Sequence, residues 1–162
     1  MALNAYLKLK GARQGDIKGS VTQKGRENSI LIVATDHLIL SPRDAATGQA
    51  TGKRQHQPIV FTKEIDAATP LLHEAMVSNE IIREAGLDFW RPEATGREVL
   101  FYRVLLTDAY ITSIKLEMLN TQYPENVRIP VREKIALVYR KISWIWTDGG
   151  VTAEDDWESP VI

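Results

Sequence analysis

The chain has 162 residues, 44% of them hydrophobic and 25% charged, a length and balance that suit one globular domain with an ordinary core and exclude bulk disorder. Twenty basic residues against 21 acidic ones leave a formal charge of −1, so the basic surplus with which nucleic-acid binders displace counterions is absent. The chain contains no cysteine, which excludes disulfides, thiol catalysis and cysteine-ligated zinc or iron–sulfur centres.

The opening "MALNAYLKLK" alternates, with Leu3, Ala5, Leu7 and Leu9 set against Asn4, Tyr6, Lys8 and Lys10, the period of a half-buried strand. It holds no apolar run of signal-peptide length. Nowhere does the chain approach the ~20 apolar residues that span a bilayer. Residues 17–24, "IKGSVTQK", predict a second strand with Ile17 and Val21 inward. "SILIVA" at 29–34 is a continuous β-branched run suited to a strand covered on both faces, continued through Thr35-Asp36-His37 into "LIL". The next segment, 41–58, has no apolar residue larger than alanine. A loop that long is usually functional or disordered.

"IVFTKE" at 59–64 predicts a strand. Thr69 as cap, Pro70 in the first turn and the stripe Leu71, Leu72, Ala75 and Met76 predict a helix over about 70–85, stopped at Gly86. Strands resume at 87–90, 98–107 and 109–119, and a long last one covers about 133–147. Within it Ile142, Trp144 and Trp146 share one side, with Ser143 and Ile145 opposite. After Gly149-Gly150 the chain turns acidic, with Glu154, Asp155, Asp156 and Glu158 around Trp157.

Some eight strands, turn signals and one helix predict a β-rich α+β fold, an antiparallel sandwich or barrel, in a single domain over 1–162. Segments 98–107 and 142–146 are apolar on both faces. Either the helix covers the second face, or subunits bury each other's sheets.

No catalytic constellation emerges. His37, His56 and His73 lack the paired spacing of a zinc site and read as surface or partly buried histidines. "GQATGKR" at 48–54 has three residues between its glycines where a phosphate loop needs four, and Arg54 where it needs a hydroxyl. The acidic cluster near the end lacks the alternation of a calcium loop, and no serine sits in a G-x-S-x-G elbow. Neither a cofactor nor a metal is expected, and an enzyme is not.

Three long blocks carry a resemblance: "MALNAYLKLKGARQGDIKGSVTQKGRE", "HLILSPRDAATGQATGKRQHQPIVFTKEIDAATPLL" and "YRKISWIWTDGGVTAEDDW". In that order, over nearly the whole chain, they resemble the Hcp (haemolysin-coregulated protein) family, inner-tube subunits of the bacterial type VI secretion system.

The resemblance implies a two-sheet antiparallel β-barrel with one flanking helix, and an exported structural protein whose homohexameric rings stack head to tail inside a contractile sheath. A trimeric spike of the valine-glycine-repeat type caps the tube, and small effectors travel in the lumen. Nucleic acid and membrane insertion are not implied. The protein is expected in the cytoplasm before firing and outside afterwards, without a leader. The end of the chain, about 15 residues past its last strand, leaves no room for an appended effector domain. The loop 41–58 corresponds to the family's inter-ring and subunit contact loop, with Arg43, Asp44, Lys53 and Arg54 setting register. Trp144 and Trp146 are expected to pack the last strand. Residues 148–162 would then leave as a short arm onto a neighbour, anchored by Trp157. Ser20, Thr22, Thr35 and Asp36 are lumen-wall candidates. The alternative is a monomeric β-barrel holding a small hydrophobic ligand.

Overall fold

A computed structural model of the chain describes residues 3–157. Its strands are β1 (Ala5–Gly11), β2 (Gly15–Ile17), β3 (Ile30–Asp36), β4 (Ile39–Leu40), β5 (Gln55–His56), β6 (Ile59–Glu64), β7 (Ile82–Pro92), β8 (Glu98–Glu117), β9 (Arg132–Trp146) and β10 (Val151–Asp156). The helix α1 spans Thr69–Val77, and a 3-10 turn covers Pro124–Asn126. Six strands close an antiparallel barrel in the order β9-β6-β3-β1-β7-β8, with β8 returning to β9. Closure leaves none of the six with a wholly open edge.

Alternation fills the interior. Leu7 and Leu9 from β1, Ile30 and Ile32 from β3, Ile59 and Phe61 from β6, Leu87 from β7, Leu106 from β8 and Leu137 from β9 form one apolar cluster. Leu72 and Ala75 of α1 belong to the same cluster, so the helix buries its apolar face in the barrel's own core. Trp144, in phase with Ile142, packs against that core.

The structure departs from the sequence expectations at identifiable points. The helix ends at Val77, not near 85: the Ser78 hydroxyl donates to the Glu74 carbonyl (2.7 Å), and Asn79 takes a left-handed φ of 52°. That conformation ends a helix, and the β-branched Ile82 then opens β7 against β1. The cap position is Ala68. Thr69 lies inside the helix, and its hydroxyl accepts from the Asp66 amide (3.1 Å) and donates to Glu133 (2.9 Å). Residues 98–117 make one strand, because Asp108, with φ 52°, is absorbed as an irregularity. β3 is covered on one face only, with Ile30 and Ile32 buried and Leu31 and Val33 partly exposed.

The strand expected over 17–24 stops at Ile17. Residues 18–28 instead form a loop pinned across the outside of β1 and β3. The Tyr6 hydroxyl donates to the Gln23 side-chain carbonyl (3.0 Å). The Arg26 guanidinium lies 3.9 Å from the Trp90 ring centre and 4.8 Å from that of Tyr6, and it pairs with Glu98 at 2.5 Å. At Gly19 a Cβ would stand 2.3 Å from the Ser29 carbonyl oxygen, so only glycine lets the loop lie this close.

Candidate assembly surface

The long segment after β3 is ordered by its own hydrogen bonds. It leaves the barrel as a two-stranded arm: β4 pairs with β5 through Ile39–His56 and Leu40–Gln55, and Arg43 bridges Ala50 further out. At the tip the Asp44 carboxylate accepts from the amides of Ala46 (2.9 Å) and Thr47 (2.8 Å), and Gly48 turns the chain at φ 72°. These bonds hold the Asp44 carboxyl below its usual range, the Thr47 amide contributing most. Arg43 donates to the Gly48 carbonyl (3.1 Å), stapling the tip. An excursion read from sequence as bare loop is thus a hairpin closed by an Asx turn.

At the base of the arm, Leu38, Ile39 and Leu40 are 53%, 37% and 41% exposed. A second apolar group, Leu116, Met118, Tyr123 and Val127, is exposed around the connection from β8 to β9. Adjacent exposed apolar side chains of this kind mark surfaces built to be covered.

The root of the arm is polar and built from several elements. The Tyr139 hydroxyl, on β9, lies 2.8 Å from His37 Nε2 and 2.6 Å from His56 Nδ1. His56 Nε2 lies 2.7 Å from Asp155 Oδ2 on β10. Arg54 donates through Nε (2.5 Å) and Nη2 (2.6 Å) to the same carboxylate, and again to the Asp156 carbonyl (3.2 Å). Trp157 stacks on His56, ring centres 5.7 Å apart and 25° from parallel, and its indole N–H donates to the Tyr139 carbonyl. Burial raises the Tyr139 hydroxyl far above the usual phenol range, with the nearby Asp155 charge adding to it. Burial also lowers His37, with His56 adding to the effect. The bonds from Arg54 are the main cause of the lowered Asp155 carboxyl.

These positions redistribute the residues singled out from sequence. Arg43 and Asp44 organise the tip, and Lys53 lies exposed on the arm. Arg54 is turned inward onto β10, so the four charges do not form one outward set. The segment after Gly149-Gly150, expected to leave the barrel, instead folds back. β10 pairs with β9 from Val151–Trp146 to Asp156–Lys141, taking the edge that β6 has vacated, and Trp157 is anchored within its own chain. Residues 158–162 of that segment lie outside the described residues. Trp146 closes the hairpin, with Phe101 edge-on at 5.9 Å and the Arg91 guanidinium over its ring at 5.3 Å.

Ser20 and Thr22 line one open hollow of about 430 Å³ with Tyr6, Gln23, Glu64 and Asp66. Thr35 lies in a separate shallow hollow with Leu3 and Phe89, and its hydroxyl donates to the Val60 carbonyl (3.1 Å). Asp36 is exposed at the end of β3. Sequence reasoning missed the partnership of His37, His56, Tyr139 and Asp155. The available signal was that His37 and His56 flank the 41–54 excursion, which brings them together if the excursion is a hairpin.

The family model described as "Type VI secretion system effector, Hcp" matches residues 6–146. The chain is 36% identical over 170 residues to the major exported protein of Pseudomonas aeruginosa, covering 99% of each sequence. Among solved structures, a crystal structure of an Hcp protein superposes with a TM-score of 0.90 at 31% identity, covering 97% of this chain and 99% of that one. A structure of an Hcp1 protein from E. coli gives 0.84 at 34% identity, covering 96% and 99%.

Proposed function

Because the chain belongs to the Hcp family, the exported, non-enzymatic tube proteins of the type VI secretion system, we propose that six copies close into a ring and that rings stack head to tail through the arm of residues 38–57. Stacking of this kind uses heterologous contacts: rotation closes the hexamer, and translation leaves the tube open-ended. The assembly partners are then further copies of this chain, a contractile sheath, a trimeric spike of the valine-glycine-repeat type, and small effectors carried in the lumen. The subunit is cytoplasmic until the system fires and is then exported with the tube.

The observation that carries this reading is the arm itself. It is hydrogen-bonded to its tip, exposed over nearly its whole length, and rooted beside three exposed apolar side chains. A rigid projection with an uncovered apolar base loses little conformational entropy on docking. Arg43, Asp44 and Lys53 would set its register against the neighbouring ring, with Arg54 holding its angle from inside. We assign Ser20, Thr22, Thr35 and Asp36 to the lumen wall, since each is exposed in the free subunit and offers polar groups to a passenger. The whole chain acts as one domain. The interior of the barrel is filled by Leu7, Ile32, Phe61, Leu87 and Leu137, which favours a scaffold over a barrel holding a ligand.

The test is the mass of the purified protein in solution, followed by negative-stain images of the main peak. The expected result is a species six times the 18.2 kDa chain, with end-on rings open at the centre. A compact species of one chain's mass across a wide concentration range would overturn it.

A further inference from the structure

We propose that the arm root is a proton-counting latch: the chain His37–Tyr139–His56–Asp155 holds the arm against β9 and β10 through one added proton, and a second proton releases it. The proposal rests on the reading of the arm as the contact element, whose regulation it describes.

Hydrogen-bond accounting carries it. Ionised Asp155 can only accept, so His56 Nε2, 2.7 Å away, carries a hydrogen in every state. With both imidazoles neutral, His56 Nδ1 accepts the Tyr139 hydroxyl hydrogen, and the hydroxyl oxygen accepts from His37 Nε2–H. One added proton finds a place without loss. Set on the free ring nitrogen of His37, Nδ1, it meets the backbone of Gln57, which favours it there. The His37 Nε2–H still donates to the hydroxyl oxygen, the hydroxyl hydrogen stays on His56 Nδ1, and every bond survives.

A second proton has no such place. Both imidazoles would then aim an N–H at the one hydroxyl oxygen, and the hydroxyl hydrogen would lose its acceptor. The His56 side chain is 1% exposed and Tyr139 4%, so water does not substitute. Two imidazolium rings would also lie on either side of a single phenol, with Arg54 close by.

The surrounding charges do not cancel this. Asp36, on β3, partly favours a cation on His37. Asp155 already serves Arg54 and His56. Asp156 is engaged by Arg140 of β9, which also holds Asp108 of β8. Burial first, and the neighbouring His56 after it, make His37 harder to protonate in the closed root than in a free histidine. The sign follows: the unfolded or opened root takes up that proton more readily, and closure weakens as pH falls below the ordinary histidine range.

Backbone hydrogen exchange on the purified protein, corrected for intrinsic rates, tests the latch at neutral pH and at about pH 5, below the histidine range and above the carboxylate range. The amides at the root, including Gln57 bonded to the Leu38 carbonyl and the ladder between β9 and β10, should exchange on the order of tenfold faster in acid. Barrel amides should hold. His37→Gln removes one of the two proton sites and should keep the root closed at both pH values, whereas Tyr139→Phe should leave it open at both. Equal protection of the wild-type root at both pH values, or acid opening of His37→Gln as in wild type, would overturn the latch. Pelleting of stacked rings in parallel separates the two readings. Root opening with stacking intact upholds the latch and overturns the arm as ring contact.

Discussion

Arg54 and Asp155, 101 residues apart in the chain, meet in a two-pronged pair at 2.5 and 2.6 Å that fastens the arm root to the last strand. Arg54 lies at the root of the arm's returning half, just before β5, while Asp155 lies on β10 and pairs across to Ile142 of β9. The pair therefore ties the arm to the β9–β10 hairpin, which lies far from it in sequence.

Acid should loosen the last strand through this carboxylate. Asp155 is held below the ordinary carboxylate range chiefly by the bonds from Arg54, and burial only partly opposes them. A group whose folded pKa is depressed contributes stability present above its unfolded pKa, and loses it as pH falls through the folded one. Asp155→Asn should thus lower Tm near neutral pH and flatten its decline in the carboxylate range, below about pH 4. A Tm-against-pH series on wild type and variant checks both halves. An unchanged acid limb would show that Asp155 contributes nothing to it.

A second charge pair lies wholly inside. The Lys63 side chain is 0% exposed, and its Nζ donates to the Glu133 carboxylate, to the Thr69 hydroxyl (3.0 Å) and to the Glu64 carbonyl (3.0 Å), with the Asp66 carboxylate also within ion-pair distance at 3.0 Å. Removing one partner strands the other without water, a loss of about 3–5 kcal/mol. Glu133→Leu or Lys63→Met alone should reach that range in urea unfolding, and the double replacement should cost much less. If the double variant were as unstable as either single one, the value of the cluster would lie in the packing around it and not in charge compensation.

The fates of Lys63 and Asp155 show what a sequence discloses. Ile59, Phe61 and Lys63 alternate inward, so the period alone puts a cation in the core, but its partner 70 residues later is invisible until β6 pairs with β9. The barrel and its closing strands were legible because alternation is local. Long-range ladders were not. The helix stop was misplaced because the pattern of Leu71, Leu72, Ala75 and Met76 carries no information about the left-handed turn at Asn79. The arm read as loop because an Asx turn and a single bridge leave no apolar period. Its polar root was hidden for the same reason as the buried pair: His37, His56, Tyr139 and Asp155 meet only after the hairpin and β10 have formed.

Trp157 distinguishes packing within the subunit from packing between subunits. Its ring covers His56, and its N–H satisfies the Tyr139 carbonyl, so its truncation exposes the root of the subunit's own arm. Trp157→Ala should destabilise the separated subunit by on the order of 2 kcal/mol. Denaturant unfolding at concentrations too low for assembly is the measurement. A loss seen only in assembled rings would place the tryptophan on a neighbour.

Shortening the arm tests the assembly reading without touching the barrel. Replacing residues 42–53 by a two-residue Asn-Gly turn keeps the ladder of Ile39 with His56 and Leu40 with Gln55, and it keeps Arg54 on Asp155. The deleted tip closes on itself: the Asp44 carboxylate holds the amides of Ala46 and Thr47, and Arg43 donates to the Gly48 carbonyl. Thermal stability should therefore stay within about 0.5 kcal/mol of wild type, the range of surface changes remote from structural features. Stacking of rings, followed by pelleting and electron microscopy, should be lost. Loss of stability together with stacking would mean that the tip braces the barrel, and tubes that persist without it would move the ring contact to the exposed Leu116, Met118, Tyr123 and Val127 group.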